Sequence, residues 1–136
     1  MAKKEYHHAK HSKYLLHYHF VFCVKYRRKI LKHKEVDDEI KRLFNEIATK
    51  SGFTIDVMET DKDHIHVLVD APPTLSPMSI AHRLKSQSTF HVWKTQDGIL
   101  QWYFWKERTF WSDGYFVCTT GDASMETIKK YIEEQG

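Results

Sequence analysis

Cysteine, proline and glycine are scarce in this chain: its 136 residues include two Cys, three Pro and five Gly. Cys23 and Cys118 lie far apart and form no CxxC pair, which argues against a disulfide framework or a zinc knuckle. Both read as small buried strand residues. The few glycines form no phosphate-cradling loop and no Walker A pattern, and HExxH is absent. The serines sit in no nucleophile elbow. No apolar run reaches the roughly 18 residues that a membrane span needs. The start, Met1-Ala2-Lys3-Lys4-Glu5, leads into polar, His-rich sequence rather than an apolar leader, so the expectation is a cytoplasmic protein. With 41% hydrophobic and 29% charged residues, the chain is neither disordered nor fibrous, and its length fits one domain over 1–136.

What the chain does have is histidine, aromatics and a skewed charge. It carries ten His, four Trp, seven Tyr and eight Phe. The net charge is only +3, but residues 1–34 are rich in Lys and Arg with a single acid, Glu5, while 122–134 lean acidic. Basic clusters interleaved with aromatics suit single-stranded nucleic acid, because bases stack on aromatic rings. Core filling accounts for many of the same aromatics.

Residues 1–13 lack apolar periodicity and read as a flexible basic arm. Residues 14–26 are β-branched and aromatic and read as a strand, closed by Lys25-Tyr26-Arg27-Arg28-Lys29. Val36, Ile40, Leu43, Phe44, Ile47 and Ala48 have helical spacing over 36–50, with Gly52 at the C-terminal cap position. Residues 53–60 and 64–70 read as a hairpin joined by Asp61-Lys62-Asp63, ended by Ala71-Pro72-Pro73. Ser76-Pro77 opens a second helix, expected to carry Ile80, Leu84 and Phe90 inward and Arg83 and Lys85 outward. Residues 94–108 suggest a short helix or loop. Residues 109–120 read as a strand interrupted at Ser112-Asp113-Gly114, and Ser124 caps a last helix over 125–135. The order β-α-β-β-α-β-α predicts the ferredoxin-like α+β class, an antiparallel sheet with helices on one face.

Two constellations carry chemistry. In Asp63-His64-Ile65-His66-Val67, the strand period of two turns His64 and His66 to one face, where paired imidazoles can hold a divalent cation. His17-Tyr18-His19 has the same alternation, and spacing alone does not choose between the pairs or separate either from surface histidines. In the last helix Tyr131 and Gln135 are four apart and share a face. The phenol can attack phosphorus if a base or metal activates it, and the amide can ligate a cation. Ordinary packing of Tyr131 beside Ile128 and Ile132 fits the same pattern.

Taken together, the blocks resemble a known family. His64-Ile65-His66 is a histidine-hydrophobic-histidine (HUH) motif upstream of a helix with one tyrosine. Val24-Lys25-Tyr26-Arg27-Arg28-Lys29-Ile30-Leu31, Phe110-Trp111-Ser112-Asp113-Gly114-Tyr115-Phe116-Val117 and Thr127-Ile128-Lys129-Lys130-Tyr131 agree in order. The chain resembles the single-tyrosine HUH transposases of small insertion sequences, the TnpA type (IS200-like). One departure is Leu84-Lys85-Ser86, where a glycine would be expected after the lysine.

The resemblance implies a transposase acting on single-stranded DNA. Tyr131 would be the nucleophile, forming a 5′-phosphotyrosine and freeing a 3′-hydroxyl that later reseals a strand. His64, His66 and Gln135 would hold Mg²⁺ or Mn²⁺. It also implies an obligate homodimer with shared active sites and recognition of DNA hairpins at element ends; in the sequence itself, a short turn around Gly121 can act as a hinge for a helix that is not part of the sheet. Lys25, Arg27, Arg28, Lys29, Arg83 and Lys85 are the candidate DNA contacts. A domesticated relative that cleaves at genomic hairpins and a non-catalytic nucleic-acid-binding regulator are the alternatives. A replication initiator or relaxase is disfavoured by the short length.

Overall fold

A computed structural model describes residues 8–9, 12–13, 15–119 and 125–135. Tyr14, the proposed hinge Gly121 and the proposed cap Ser124 lie outside the described residues, as does most of the basic arm. Within that arm, His8–Ala9 (β1) and Ser12–Lys13 (β2) pair antiparallel, where the sequence suggests flexible chain.

The main strand β3 spans Leu16–Cys23. It stops short of Tyr26 because the chain leaves the sheet in a 3₁₀ turn at Lys25–Arg27, with Tyr26 (φ 60°) and Arg27 (φ 52°) left-handed. Helix α1, Lys34–Ser51, buries Val36, Ile40, Leu43, Phe44 and Ile47, as its spacing predicts. Gly52 ends it at φ 88°, a conformation that glycine adopts without a Cβ penalty, and its N–H reaches Ala48 O at 3.0 Å.

β4 (Thr54–Asp61) and β5 (His64–Ala71) form the expected hairpin. Helix α2 opens at Pro77, with Ser76 Oγ accepting from the Ser79 N–H at 3.0 Å. It runs to Tyr103, so most of the region 94–108 continues α2 past a kink at Gln96. Phe90 does not point inward but is 60% exposed. The buried stripe runs through Ile80, Leu84, Ser88 and Val92, and a residue midway between Ser88 and Val92 faces the other way. Lys94 Nζ lies over the Phe90 ring at 4.3 Å. The strand expected over 109–120 is reduced to β6, Phe116–Thr119, and a single bridge between Trp111 and Val24. Helix α3 spans Met125–Glu134.

The sheet order is β4-β5-β3-β6, antiparallel throughout, which gives the predicted α+β architecture. One face carries Phe20, Phe22, Ile65, Val67 and Val69 into the core shared with α1 and α2. Phe22 meets the Phe44 ring edge-on at 5.9 Å. Directly paired residues share a face, so the second face bears Val21 and Cys23 of β3 opposite His66 and His64 of β5. A bulge in β4 matters here. Ile55 pairs Val69 and Val57 pairs Leu68, leaving Asp56 as the extra residue. Without it, Glu59 and Asp61 would share the core face of Ile55. With it, they pair His66 and His64 on the second face.

Candidate active site

The second face of the sheet carries the candidate side chains. His64 and His66 project from β5 with ring centroids 5.0 Å apart, each half-buried. The alternate residues Ile65 and Val67 are fully buried on the other side and fix the strand's orientation. His64 Nδ1 donates to Asp63 Oδ1 at 2.8 Å. His66 Nδ1 is hydrogen-bonded to His19 Nε2 at 3.1 Å. Each histidine therefore keeps its Nε2 for a ligand, with the ring held by its other nitrogen. Burial, helped by the neighbouring His64 and His19, pushes His66 down to about 4, so its imidazole is neutral at physiological pH. Neutral imidazole is the form that binds a metal.

Asp63 is buried and accepts from Arg27 Nε at 3.2 Å and Lys29 Nζ at 2.9 Å as well as from His64. Burial opposes ionisation of this carboxyl, but hydrogen bonds from Lys29, His64 and Arg27 prevail and hold it down at about 2.

Tyr131 of α3 packs tilted against Phe116 of β6, with centroids 5.7 Å apart. Phe116 pairs Val21, and Val21 pairs His66, so Phe116 lies two strands, about 10 Å, from His66 on the same face. The Tyr131 hydroxyl is buried with no hydrogen-bond partner among the described residues. A Cβ on Gly114 would stand 3.8 Å from it, at ordinary contact distance. Burial, with a smaller contribution from Cys23, raises the Tyr131 phenol well above its usual value. Burial likewise pushes the Cys23 thiol up to about 11, which keeps it inert as a nucleophile. Gln135 follows the last turn of α3, its N–H bonded to Ile132 O at 3.1 Å. Its side chain makes no hydrogen bond to His64 or His66 among the described residues.

The rival pair His17 and His19 is split between two neighbourhoods. His19 joins His66, and burial lowers its affinity for a proton. His17 Nδ1 pairs with Asp70 Oδ1, and His17, Asp56 and Asp70 bring ligand-capable atoms within 4.8 Å of one another. That group lies four residues along β5 from His66, so two acid-bearing histidine clusters share one face.

The basic candidates are dispersed. Arg27 and Lys29 are engaged by Asp63, and Lys25 Nζ donates to Glu107 Oε1 at 3.3 Å. Arg28 lies over the Tyr26 ring at 5.5 Å. Lys85 is half-buried rather than outward: its Nζ donates to Asp113 O at 2.7 Å and Gly114 O at 3.1 Å, tying α2 to the loop beneath Tyr131. Arg83, also on α2, is half-buried.

Glu59, Asp61 and the His19–His66 contact escape residue reading, because they depend on register. The one sequence signal for His19 is its own alternation with His17.

The chain matches the family model described as "Transposase IS200 like" over residues 12–135. It is 31% identical over 126 residues to the ISDra2 transposase TnpA of Deinococcus radiodurans, covering 90% of this chain and 85% of that protein. Over 125 residues it is 31% identical to the Salmonella typhimurium transposase for insertion sequence element IS200, covering 92% and 80%. A crystal structure of a putative transposase from Deinococcus radiodurans R1 superposes with a TM-score of 0.84 at 28% identity, covering 93% of this chain and 95% of that one. The REP-associated tyrosine transposase, solved bound to a REP hairpin, shares the fold at a TM-score of 0.56 and 12% identity, covering 92% and 68%.

Proposed function

Since the chain belongs to the IS200-like transposase family, whose enzymes serve DNA transposition, we propose that it cuts and rejoins single-stranded DNA through Tyr131. What supports the reading is one arrangement: two half-buried histidines with Nε2 uncommitted, on the same sheet face as the tyrosine of α3.

In this reading the Tyr131 oxygen bonds to the scissile phosphorus as the bond to the 3′-oxygen breaks. The products are a 5′-phosphotyrosine and a 3′-hydroxyl. A later 3′-hydroxyl attacks the same phosphorus, restores a phosphodiester and releases the phenol. Each step exchanges one P–O bond for another, so no external energy source is required.

The residue types suit Mg²⁺ or Mn²⁺: the imidazoles of His64 and His66 would hold the ion, with Gln135 as the proposed third ligand, and Glu59 and Asp61 are register partners of the histidines on the same face. Bound there, such a cation would polarise the scissile phosphate and steady the developing charge. Imidazole matches Mn²⁺ better than Mg²⁺. Asp63 and His19 orient the two histidines through their Nδ1 atoms. Tyr131, in its apolar seat over Phe116, holds its proton at neutral pH, so attack requires the phenol to leave that seat. DNA hairpins at element ends, a homodimer with shared sites and a cytoplasmic location belong to the same reading. No helix among the described residues is long and apolar enough to cross a membrane.

The test is a denaturing-gel assay with labelled single strands from both flanks of the gene, with and without Mn²⁺, beside duplex controls. A metal-dependent protein–DNA adduct on one single strand is expected, lost in Tyr131→Phe. An adduct that survives in Tyr131→Phe contradicts the assignment.

A further inference from the structure

An exposed aromatic surface lies outside the histidine site. Trp102 is 81% exposed, Trp105 68% and Tyr26 58%. All three line one groove, together with Arg28 and Lys32. Indoles are expensive to leave in water, and three large rings converging on one groove mark a contact surface rather than scattered exposure.

The groove is built and held. Tyr26 and Arg27 are consecutive left-handed residues, a conformation that is strained for a non-glycine residue and persists only where the surroundings enforce it. Here the Arg27 N–H bonds to Val24 O at 2.8 Å and the Lys25 N–H to Phe110 O at 2.8 Å. The result turns the Tyr26 ring outward instead of into the sheet. On the opposite wall, Tyr103 hydroxyl and His33 Nε2 are hydrogen-bonded at 2.8 Å with their rings edge-on, pinning the end of α2. Phe104 is buried behind it.

The charge of the groove is cationic. Arg28 and Lys32 are exposed and have no carboxylate partner among the described residues, and Arg28 already lies against the Tyr26 face. The acid at the rim, Glu107, is paired with Lys25. Aromatic faces alternating with unpaired cations are the two elements that bind single strands: rings for the bases, cations for the phosphates. A duplex hides its base faces and cannot use the rings.

We propose that this groove, between the turn at Tyr26 and the C-terminal end of α2, is a docking platform for single-stranded DNA. Bases stack on Trp102, Trp105 and Tyr26, and the backbone runs past Arg28 and Lys32. The proposal rests on the single-stranded DNA reading above and adds the surface that receives the strand. The groove also borders the histidine site, because Arg27, on its wall, holds Asp63, and Asp63 holds His64.

The test is titration of the full chain with a labelled oligo(dT) strand and with a duplex of equal length, read by anisotropy and by tryptophan quenching. Of the four Trp, Trp93 and Trp111 are buried, so quenching reports chiefly on the groove. Trp102→Ala and Trp105→Ala are each expected to weaken oligo(dT) binding about fivefold or more. Trp102→Phe and Trp105→Phe should keep most of it, and Arg28→Ala should lower the salt dependence by about one phosphate contact. Wild-type binding with unchanged affinity in both Ala variants overturns the platform and leaves the enzyme reading standing. Unchanged affinity with a change in oligomeric state in those variants assigns the face to a contact between copies and also overturns it. Failure of the wild-type chain to prefer oligo(dT) over duplex contradicts the single-strand reading itself.

Discussion

Asp63 Oδ1 stands 2.8 Å from His64 Nδ1, while its other oxygen takes hydrogen bonds from Arg27 and Lys29. One buried carboxylate thus fixes the orientation of a candidate ligand and anchors the basic turn. Asp63→Asn is expected to weaken apparent Mn²⁺ affinity by about 10- to 100-fold, the usual scale for losing a carboxylate behind a ligating histidine. Cleavage titrated against Mn²⁺ checks this: the midpoint should rise, with cleavage recovering at high metal. A loss that no metal concentration restores would mean Asp63 acts only on folding.

The same carboxylate gives a pH signature. Its folded value, about 2, lies below the ordinary aspartate value, so its interactions stabilise the fold fully above about pH 4. That stability is lost as pH falls through the folded value. The difference in Tm between wild type and Asp63→Asn is expected to be largest near neutral pH and to shrink between about pH 4 and pH 2.

Tyr131→Phe removes a hydroxyl that is buried without a hydrogen-bond partner among the described residues. An unsatisfied buried polar group costs about 1–3 kcal/mol, so this variant should be as stable as wild type or more so. Thermal unfolding of both proteins checks it. A clear drop in Tm would show that the hydroxyl has a partner in solution.

Leu84 and Phe90 share α2 but not its environment: Leu84 is fully buried and Phe90 is 60% exposed. Leu84→Ala is expected to cost about 2–5 kcal/mol, and Phe90→Ala no more than about 0.5 kcal/mol. Denaturant unfolding of the two variants distinguishes them, and equal losses would place Phe90 in the core.

Much of this was legible from the order of residues. Helical spacing located α1, Gly52 marked its end, and the alternation in His64-Ile65-His66 put both imidazoles on one face, because these depend on neighbours in the chain. What could not be read depends on partners far along it. The extra residue Asp56 is an ordinary strand residue until β5 is laid beside it, yet it turns Glu59 and Asp61 toward the histidines. His19 acquires its role only when register brings it to His66, and His17 parts from it to join Asp70. The left-handed turn at Tyr26 and Arg27 contains no glycine to announce it. Helix α2 absorbed residues expected to be loop because Leu100 stays buried beyond the Gln96 kink.

In the proposed reaction Tyr131 becomes covalently joined to DNA. Its most direct test is peptide mapping by mass spectrometry of the protein after incubation with a cleavable single strand and Mn²⁺. A nucleotide joined through phosphate is expected on the peptide that carries Tyr131, and on no other. A nucleotide on Tyr115 or another side chain, or cleaved DNA with no modified peptide, would contradict it.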